Sequence, residues 1–357
     1  MNTFGRTPLK AVIGLDLGHS RVKAVLASVM NKDIARHKIS FPTLVSQWHQ
    51  LKEEFAAQKA LTDTVEINGQ RFFIGTTVQE QNNPTSYVGV HYDWFRTLPA
   101  QYQALTKGAF KKLRPKMPPT PGLIVVVVGL PAASSMEDRI ELERLTRHAI
   151  EPELQSGEVL KIVKSATQAD AIVFHALFNE DGSYNPNYRQ ESIVEEVLVD
   201  GETVEKETSA SLYGVIEVGH LTTDFTILSG IYGIDSATNS TSGVSSTFAA
   251  LQELLASNGF YHDLPSTAEA LMMKKLEGRD VSHLVKKASS DLIQETLSTA
   301  KEVFSRRRLD GLLVAGGGAS LVIDAIKNEF PRAEMIPEAR FAVAEGYVRR
   351  GLIELHK

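Results

Sequence analysis

Two apolar runs, each closed by an acidic residue, one apolar residue and a glycine, stand about two hundred residues apart: AVIGLDLG (11–18) and LYGVIEVG (212–219). A second run follows each within three residues, VKAVLASV (22–29) and TTDFTILSG (222–230). Each pair predicts a buried hairpin, the first turning at Gly18-His19-Ser20 and the second repeating that unit. LIVVVVGL (123–130) predicts a buried strand, and Asn68-Gly69 in TVEINGQRFFIG a small antiparallel extension with a two-residue turn. Tyr102, Leu105, Ala109 and Phe110 recur at helical spacing between Pro99 and Leu113. Ser134-Ser135 followed by Glu137 and the stripe Ile140, Leu142, Leu145, Ile150 predicts a capped helix. KIVKSATQADAIVFHALF (161–178) predicts a strand and then a helix from Ser165 or Thr167, and the polar stretch 179–211, with Asp200-Gly201 at a hairpin turn, a surface insertion. One long helix is expected within 281–308, then strand, triple glycine and helix over 311–330, and a closing helix over 344–355. Strands alternating with helices imply sheets covered by helices, the α/β class.

With 357 residues the chain exceeds the size of one growing core, so two domains are expected, and the repeat makes them related halves. At 43% hydrophobic and 23% charged residues the composition is that of a globular protein. A net charge of -5 gives no footprint for general nucleic-acid binding. Cysteine is absent, which excludes disulfides and thiolate metal sites and is compatible with a reducing cytoplasm. MNTFGRTPLK lacks the apolar core of a signal peptide, and no apolar run is long enough to span a bilayer. The expected location is therefore cytoplasmic, away from the membrane.

The two turns carry the candidate chemistry. A tight tip with glycine lets backbone N–H groups approach an oxyanion, and nearby hydroxyls add donors. Gly18, His19 and Ser20 form one such clasp; Gly219, His220, Leu221 and Thr222 form the other. Asp16 and Glu217, each preceding the glycine, are placed to reach Mg²⁺ through its water shell. Taken alone, either turn reads first as a plain hairpin whose Asp or Glu caps a backbone group; the repetition reverses that order and favours a polyphosphate held by both. GLLVAGGGAS (311–320) opens a strand through Gly316, Gly317 and Gly318 into a helix at Ala319, which allows close approach to a nucleotide. It has neither the Rossmann nor the P-loop spacing.

Together IGLDLGHSRVK, VIEVGHLTTD and LLVAGGGAS resemble the two phosphate motifs and the adenosine motif of the actin-like ATPase superfamily, in the family's order. SATQADAIVFHAL and RFAVAEGYVRRG are similar to its two connecting helices, with Ala344 and Gly346 at small-residue positions. Within the superfamily the ParM-type plasmid-segregating actins are most alike, through GLP (129–131), the preceding HYDWFRTLPAQYQALTKGAF and the ERLTR helix. The resemblance implies an actin-like fold of two related domains around a nucleotide cleft, with residues 1–163 and 336–357 in the first and 164–335 in the second, and a five-stranded sheet in each. It implies ATP or GTP with Mg²⁺, self-association into filaments, and a DNA-bound adaptor protein as partner. Lys23 takes the place of a phosphate-contacting lysine, and Lys301-Glu302 that of a pair framing adenosine, with a solvated helix face as the other reading of the pair. Gln168 stands where a catalytic Glu or Gln orients the attacking water; Asp170 is the lesser candidate, with a helix-terminal charge as its other reading. Glu217 departs from the usual Asp, and Asp224 is expected to fix the second hairpin. A small-molecule kinase, with Asp170 or Asp224 as base, and a non-polymerising nucleotide switch are the rival functions.

Overall fold

A computed structural model describes residues 7–30, 33–81, 94–130, 135–163, 167–188, 192–199, 202–209, 211–229, 232–260 and 263–354. Pro131 of the GLP motif, Ser134, Ser165, the Asp200-Gly201 turn, and the ends of the chain before Thr7 and after Glu354 lie outside the described residues. So does the His91–Asp93 part of the segment preceding the first long helix. The chain divides into two compact units, Met1–Tyr188 with Phe341–Lys357, and Arg189–Arg340.

In chain order the first unit begins with β1 (Leu9–Leu17), β2 (Arg21–Met30), β3 (Asp33–Pro42), β4 (Val45–Gln47), α1 (Glu54–Ala60), β5 (Thr64–Ile67), β6 (Gln70–Ile74) and α2 (Thr76–Glu80). It continues through α3 (Trp94–Thr97), α4 (Pro99–Leu113), β7 (Gly122–Val128), α5 (Met136–Ile150), β8 (Glu158–Val163) and α6 (Gln168–Leu177). The second unit holds β9 (Ser192–Val199), β10 (Glu202–Ser209), β11 (Leu212–Val218), β12 (Thr222–Ser229), β13 (Tyr232–Ser242), α7 (Val244–Ser257) and α8 (Leu264–Met273). After these come β14 (Lys275–Leu276), β15 (Arg279–Asp280), α9 (Ser282–Ala288), α10 (Ser290–Phe304), β16 (Gly311–Ala315), α11 (Ala319–Glu329) and β17 (Ala333–Met335). The chain then returns to the first unit as α12 (Ala342–Ile353).

The repeated hairpin is the visible part of a repeated sheet. The first unit's sheet has the order β3-β2-β1-β7-β8 and the second's β13-β12-β11-β16-β17. In each, the hairpin and its third strand are antiparallel and the remaining neighbours parallel. Every residue of β7 is buried, as its unbroken apolar run requires of a central parallel strand. The second unit has a sheet core around Phe225, Phe304 and Val314 and a separate helical core around Leu251, Leu255, Ala270 and Leu284. Asn68 and Gly69 both take positive φ (52° and 77°), the conformation a two-residue hairpin of this twist needs, and β4 joins β5 and β6 in a three-stranded sheet.

Several expectations are corrected. The α5 cap is Ser135 with Asp138, a reciprocal capping box in which Glu137 takes no part. Ile140 is 56% exposed, so the buried stripe of α5 runs through Leu142, Leu145, Ala149 and Ile150. The single long helix of 281–308 is two helices joined at Ser289 (φ -89°, ψ 1°), whose hydroxyl bonds back to the Val285 carbonyl at 2.8 Å. This local side-chain bond offers the backbone an alternative to a straight helix. The compact units pass from one to the other at Tyr188/Arg189 and Arg340/Phe341, beside the domain limits expected at 163/164 and 335/336, and within the first unit α6 packs against α12: a Cβ on Gly346 would stand 1.7 Å from the Ala171 carbonyl oxygen. Only glycine lets the two helices approach this closely.

Candidate functional site

In the first unit the parallel strands β1, β7 and β8 bring their carboxyl ends to one edge, where open α/β sheets collect their ligand groups. Clasp one lies there. Asp16 and Lys23 are cross-strand partners, and the Lys23 Nζ donates to Asp16 Oδ2 at 2.7 Å. Asp16 is 3% exposed, so its charge is held by this lysine rather than by solvent. The turn is fastened from behind by Thr43, just after β3: its hydroxyl donates to the Gly18 carbonyl at 2.5 Å and its N–H to the Ser20 carbonyl at 3.0 Å.

At the same edge, the Gln168 N–H donates to the carbonyl of Leu130, just past β7, at 3.2 Å. Gln168 is therefore the first residue of α6, at the carboxyl end of the strand beside β1. Thr167 caps this helix, accepting from Asp170 N at 3.2 Å while Asp170 Oδ2 accepts from Thr167 N at 2.9 Å. Burial pushes the Asp170 carboxyl up, against the Thr167 hydrogen bonds that lower it. Its Oδ1 is buried with no hydrogen-bond partner among the described residues. Asp170 thus serves as a helix-terminal charge, the reading set beside its candidacy as a base.

Clasp two, in the second unit, repeats the geometry with different side chains. Glu217 pairs with Asp224 in the register that Asp16 has with Lys23. The second clasp therefore sets two carboxylates opposite each other where the first sets a carboxylate and a lysine. Half-buried oxygen donors of this kind are what Mg²⁺ takes while keeping most of its waters. Asp224 Oδ2 also accepts the Thr222 hydroxyl at 3.0 Å, which ties it to the turn as expected. The brace here is the start of α7: Gly243, Val244 and Ser245 donate their N–H groups to the carbonyls of Leu221, Gly219 and His220 at 2.8, 3.0 and 2.8 Å. The turn's carbonyls are thus held by the start of α7, and its Gly219 N–H donates to the Thr222 carbonyl at 2.8 Å.

The triple glycine joins clasp two. Gly316 has φ +94°, and a Cβ on it would stand 2.4 Å from the Val218 carbonyl oxygen; Gly318 N–H donates to that same carbonyl at 3.0 Å. Gly317 has nothing within 4 Å of its Cβ position, so the loop is open there. A Cβ on Gly318 would touch Val244 at 2.4 Å and Val218 at 2.6 Å. Hence the turn, the start of α7 and the glycine loop before α11, which begins at Ala319, form one cluster in which the first N–H groups of α7 are spent on the turn.

Lys301 and Glu302 are not brought to this cluster. Lys301 pairs with Glu329 at 2.9 Å, both about half exposed. Glu329 is the last residue of α11, whose 11 residues span about 16 Å from the glycines. The pair is the solvated face that was its other reading. What the sequence analysis did not single out are the braces, Thr43 and Gly243–Ser245. Their signal is weak, since a threonine after a strand and a glycine before a helix are common.

Among the described residues no helix is long and apolar enough to cross a membrane, and no group of three or more His, Cys, Asp or Glu side chains could hold a metal. Residues 14–169 match the family described as the N-terminal domain of actin-like proteins. No curated protein matches the sequence. Solved structures do. An apo psk41 ParM protein aligns at a TM-score of 0.65 and 14% identity over 98% of this chain and 99% of its own. A MamK double helical filament aligns at 0.61 and 13% over 96% and 98%, and Bacillus thuringiensis ParM with AMPPNP at 0.61 and 9% over 98% and 100%. At these identities the likeness shows the fold, with both five-stranded sheets.

Proposed function

The chain has the actin-like fold, and from that premise we propose that it is a bacterial or archaeal filament-forming ATPase that drives DNA segregation. The observation that carries the reading is the pair of braced turns in the same position of two identically ordered sheets. One such turn alone is a hairpin; its repetition at the same place in two like-ordered sheets is what supports phosphate binding by each. The AMPPNP complex of the Bacillus thuringiensis protein and the filament of MamK support nucleotide binding and self-association as the class of activity.

In this reading Gly18, His19, Ser20 and Lys23 bind phosphate from the first unit and Gly219 to Thr222 from the second. Glu217, with Asp224 opposite, would hold Mg²⁺ through its waters, and Asp16 orients Lys23. The magnesium nucleotide supplies the anhydride bond that is broken. Gln168 orients the attacking water by accepting one hydrogen bond and donating another; a neutral amide is no strong base, so turnover is slow. The loop at Gly316 to Ala319 takes the nucleoside. A DNA-bound adaptor protein is the partner, since the net charge of -5 provides no general nucleic-acid surface.

Electron microscopy and pelleting of the purified protein with Mg-ATP, Mg-GTP, ADP and no nucleotide test the proposal. Polymer that forms with the magnesium triphosphate and disassembles as phosphate is released is the expected result. Failure to pellet at every protein and salt concentration, with nucleotide binding intact, removes the filament from the proposal.

A further inference from the structure

Four guanidinium groups gather at one end of the second unit. Arg306, Arg307 and Arg308 are exposed in the connection from α10 to β16, and the exposed Arg332 donates to the Leu309 carbonyl at 3.4 Å. None of the four forms an ion pair among the described residues. Neighbouring carboxylates are engaged elsewhere: Asp310 accepts the Leu212 N–H at 2.9 Å, and Glu329 holds Lys301. On a chain of net charge -5, four uncompensated positive charges at one spot repel each other and draw an anionic surface.

An acidic ribbon belongs to the same unit. Among the described residues strands β9 and β10 pair with each other alone, as a two-stranded sheet. The register sets Glu196 opposite Glu205 and Glu207 opposite Val194, which places three carboxylate residues next to one another on one face. On the other face the register sets Glu195 opposite Lys206. Like charges directly opposed weaken a ladder, and a lone two-stranded ribbon is marginal in water. A cationic partner relieves both problems.

The two features share a root. Leu212, three residues beyond the hairpin, exchanges two hydrogen bonds with Asp310, two residues beyond the arginines. We propose that the arginine cluster of one copy receives the Glu196–Glu205–Glu207 face of the β9–β10 hairpin of a second copy. Because the donor and receiving surfaces differ, the contact is heterologous and propagates from copy to copy. This inference rests on the self-association proposed above and names its contact.

Charge exchange between variants tests it. One variant carries Arg306→Glu, Arg307→Glu and Arg308→Glu; the other carries Glu196→Lys, Glu205→Lys and Glu207→Lys. Each alone is expected to raise the critical concentration for pelleting with Mg-ATP about tenfold or more, with nucleotide binding unchanged. An equimolar mixture is expected to recover assembly, because each altered patch then meets a complementary altered hairpin. Recovery also shows that both variants are folded. Wild-type assembly by either variant alone overturns the contact. A six-substitution chain that assembles while the mixture does not places the pairing within one chain and overturns it too. Assembly unaffected while duplex DNA binding is lost in the arginine variant makes the patch a nucleic-acid surface instead. If the wild-type protein never assembles, the filament reading falls first and this contact with it, whereas wild-type assembly with indifferent variants removes only the contact.

Discussion

Asp16, buried, is paired with Lys23, whereas the equivalent register of the second clasp sets two carboxylates, Glu217 and Asp224, opposite each other, so the two clasps are set for different tasks. Asp16→Asn keeps the shape, removes the charge that orients Lys23, and is expected to weaken Mg-ATP binding by about 1–3 kcal/mol. Calorimetry giving wild-type affinity makes Asp16 a turn residue only. Glu217→Ala is expected to impair both binding and turnover, while Glu217→Asp, which restores the commoner family residue, keeps binding. Gln168→Ala is expected to slow single-turnover phosphate release while leaving binding and assembly close to wild type, since an amide that positions water acts mainly in the transition state. Undiminished release by Gln168→Ala takes that residue out of the mechanism and turns attention to Asp170, whose Oδ1 is buried without a partner among the described residues.

Between elements, the triple glycine offers the sharpest contrast. Gly316→Ala places a Cβ against the Val218 carbonyl at a positive φ and is expected to cost about 1–3 kcal/mol of stability, read by urea unfolding. Gly317→Ala meets only open space and is expected to stay within about 0.5 kcal/mol of wild type. Equal losses would mean that the backbone there is not as described. The same contrast explains what was legible in advance. The hairpin turns, the strand opening into Gly316 and the helix starting at Thr167 were readable because apolar runs and caps are local signals. Strands β3 and β13 were not, because DIARHKISFP and YGIDSATNSTS are polar edge strands whose place is decided by pairing with β2 and β12. Lys301-Glu302 misled because a dipeptide carries no information about which end of a neighbouring helix it will meet. The braces at Thr43 and Gly243 were invisible for a related reason: their role exists only once a strand or helix start is laid behind a turn.

At the scale of the whole molecule, the chain leaves the first unit after Tyr188 and returns at Phe341, and one buried carboxylate anchors both passages within that unit. Glu345 of α12 is 1% exposed and meets Arg349 at 2.8 Å, Lys38 at 2.9 Å and Arg36 at 3.3 Å. Arg349 Nε donates to the Phe178 carbonyl at 2.8 Å and Arg36 to the Glu180 carbonyl, so the outgoing segment is tied through the same cluster to the returning helix and to β3. Burial would raise the Glu345 carboxyl, but the hydrogen bond from Lys38 and the charges of Arg36 and Arg349 overcome it and hold the group below its usual range. A carboxylate with a depressed folded-state pKa contributes stability that is complete above its unfolded value, about 4.3, and is lost as pH falls through the folded value. Glu345→Gln removes the carboxylate shared by the buried Arg349 and the half-buried Arg36 and Lys38 and is expected to cost about 3 kcal/mol at pH 7, with the difference from wild type narrowing as the pH falls below about 4. This scaffold effect separates from the nucleotide site by linkage. A ligand at 100 times its dissociation constant adds about 2.7 kcal/mol to whatever stability the protein has. Glu345→Gln should therefore lower the Tm with and without Mg-ATP by a similar amount and keep the nucleotide-induced rise, whereas Asp16→Asn should shrink that rise. Thermal unfolding of both variants, with and without Mg-ATP, is the measurement. Loss of the rise in Glu345→Gln would mean that the carboxylate shapes the nucleotide site itself and does more than anchor the chain passages.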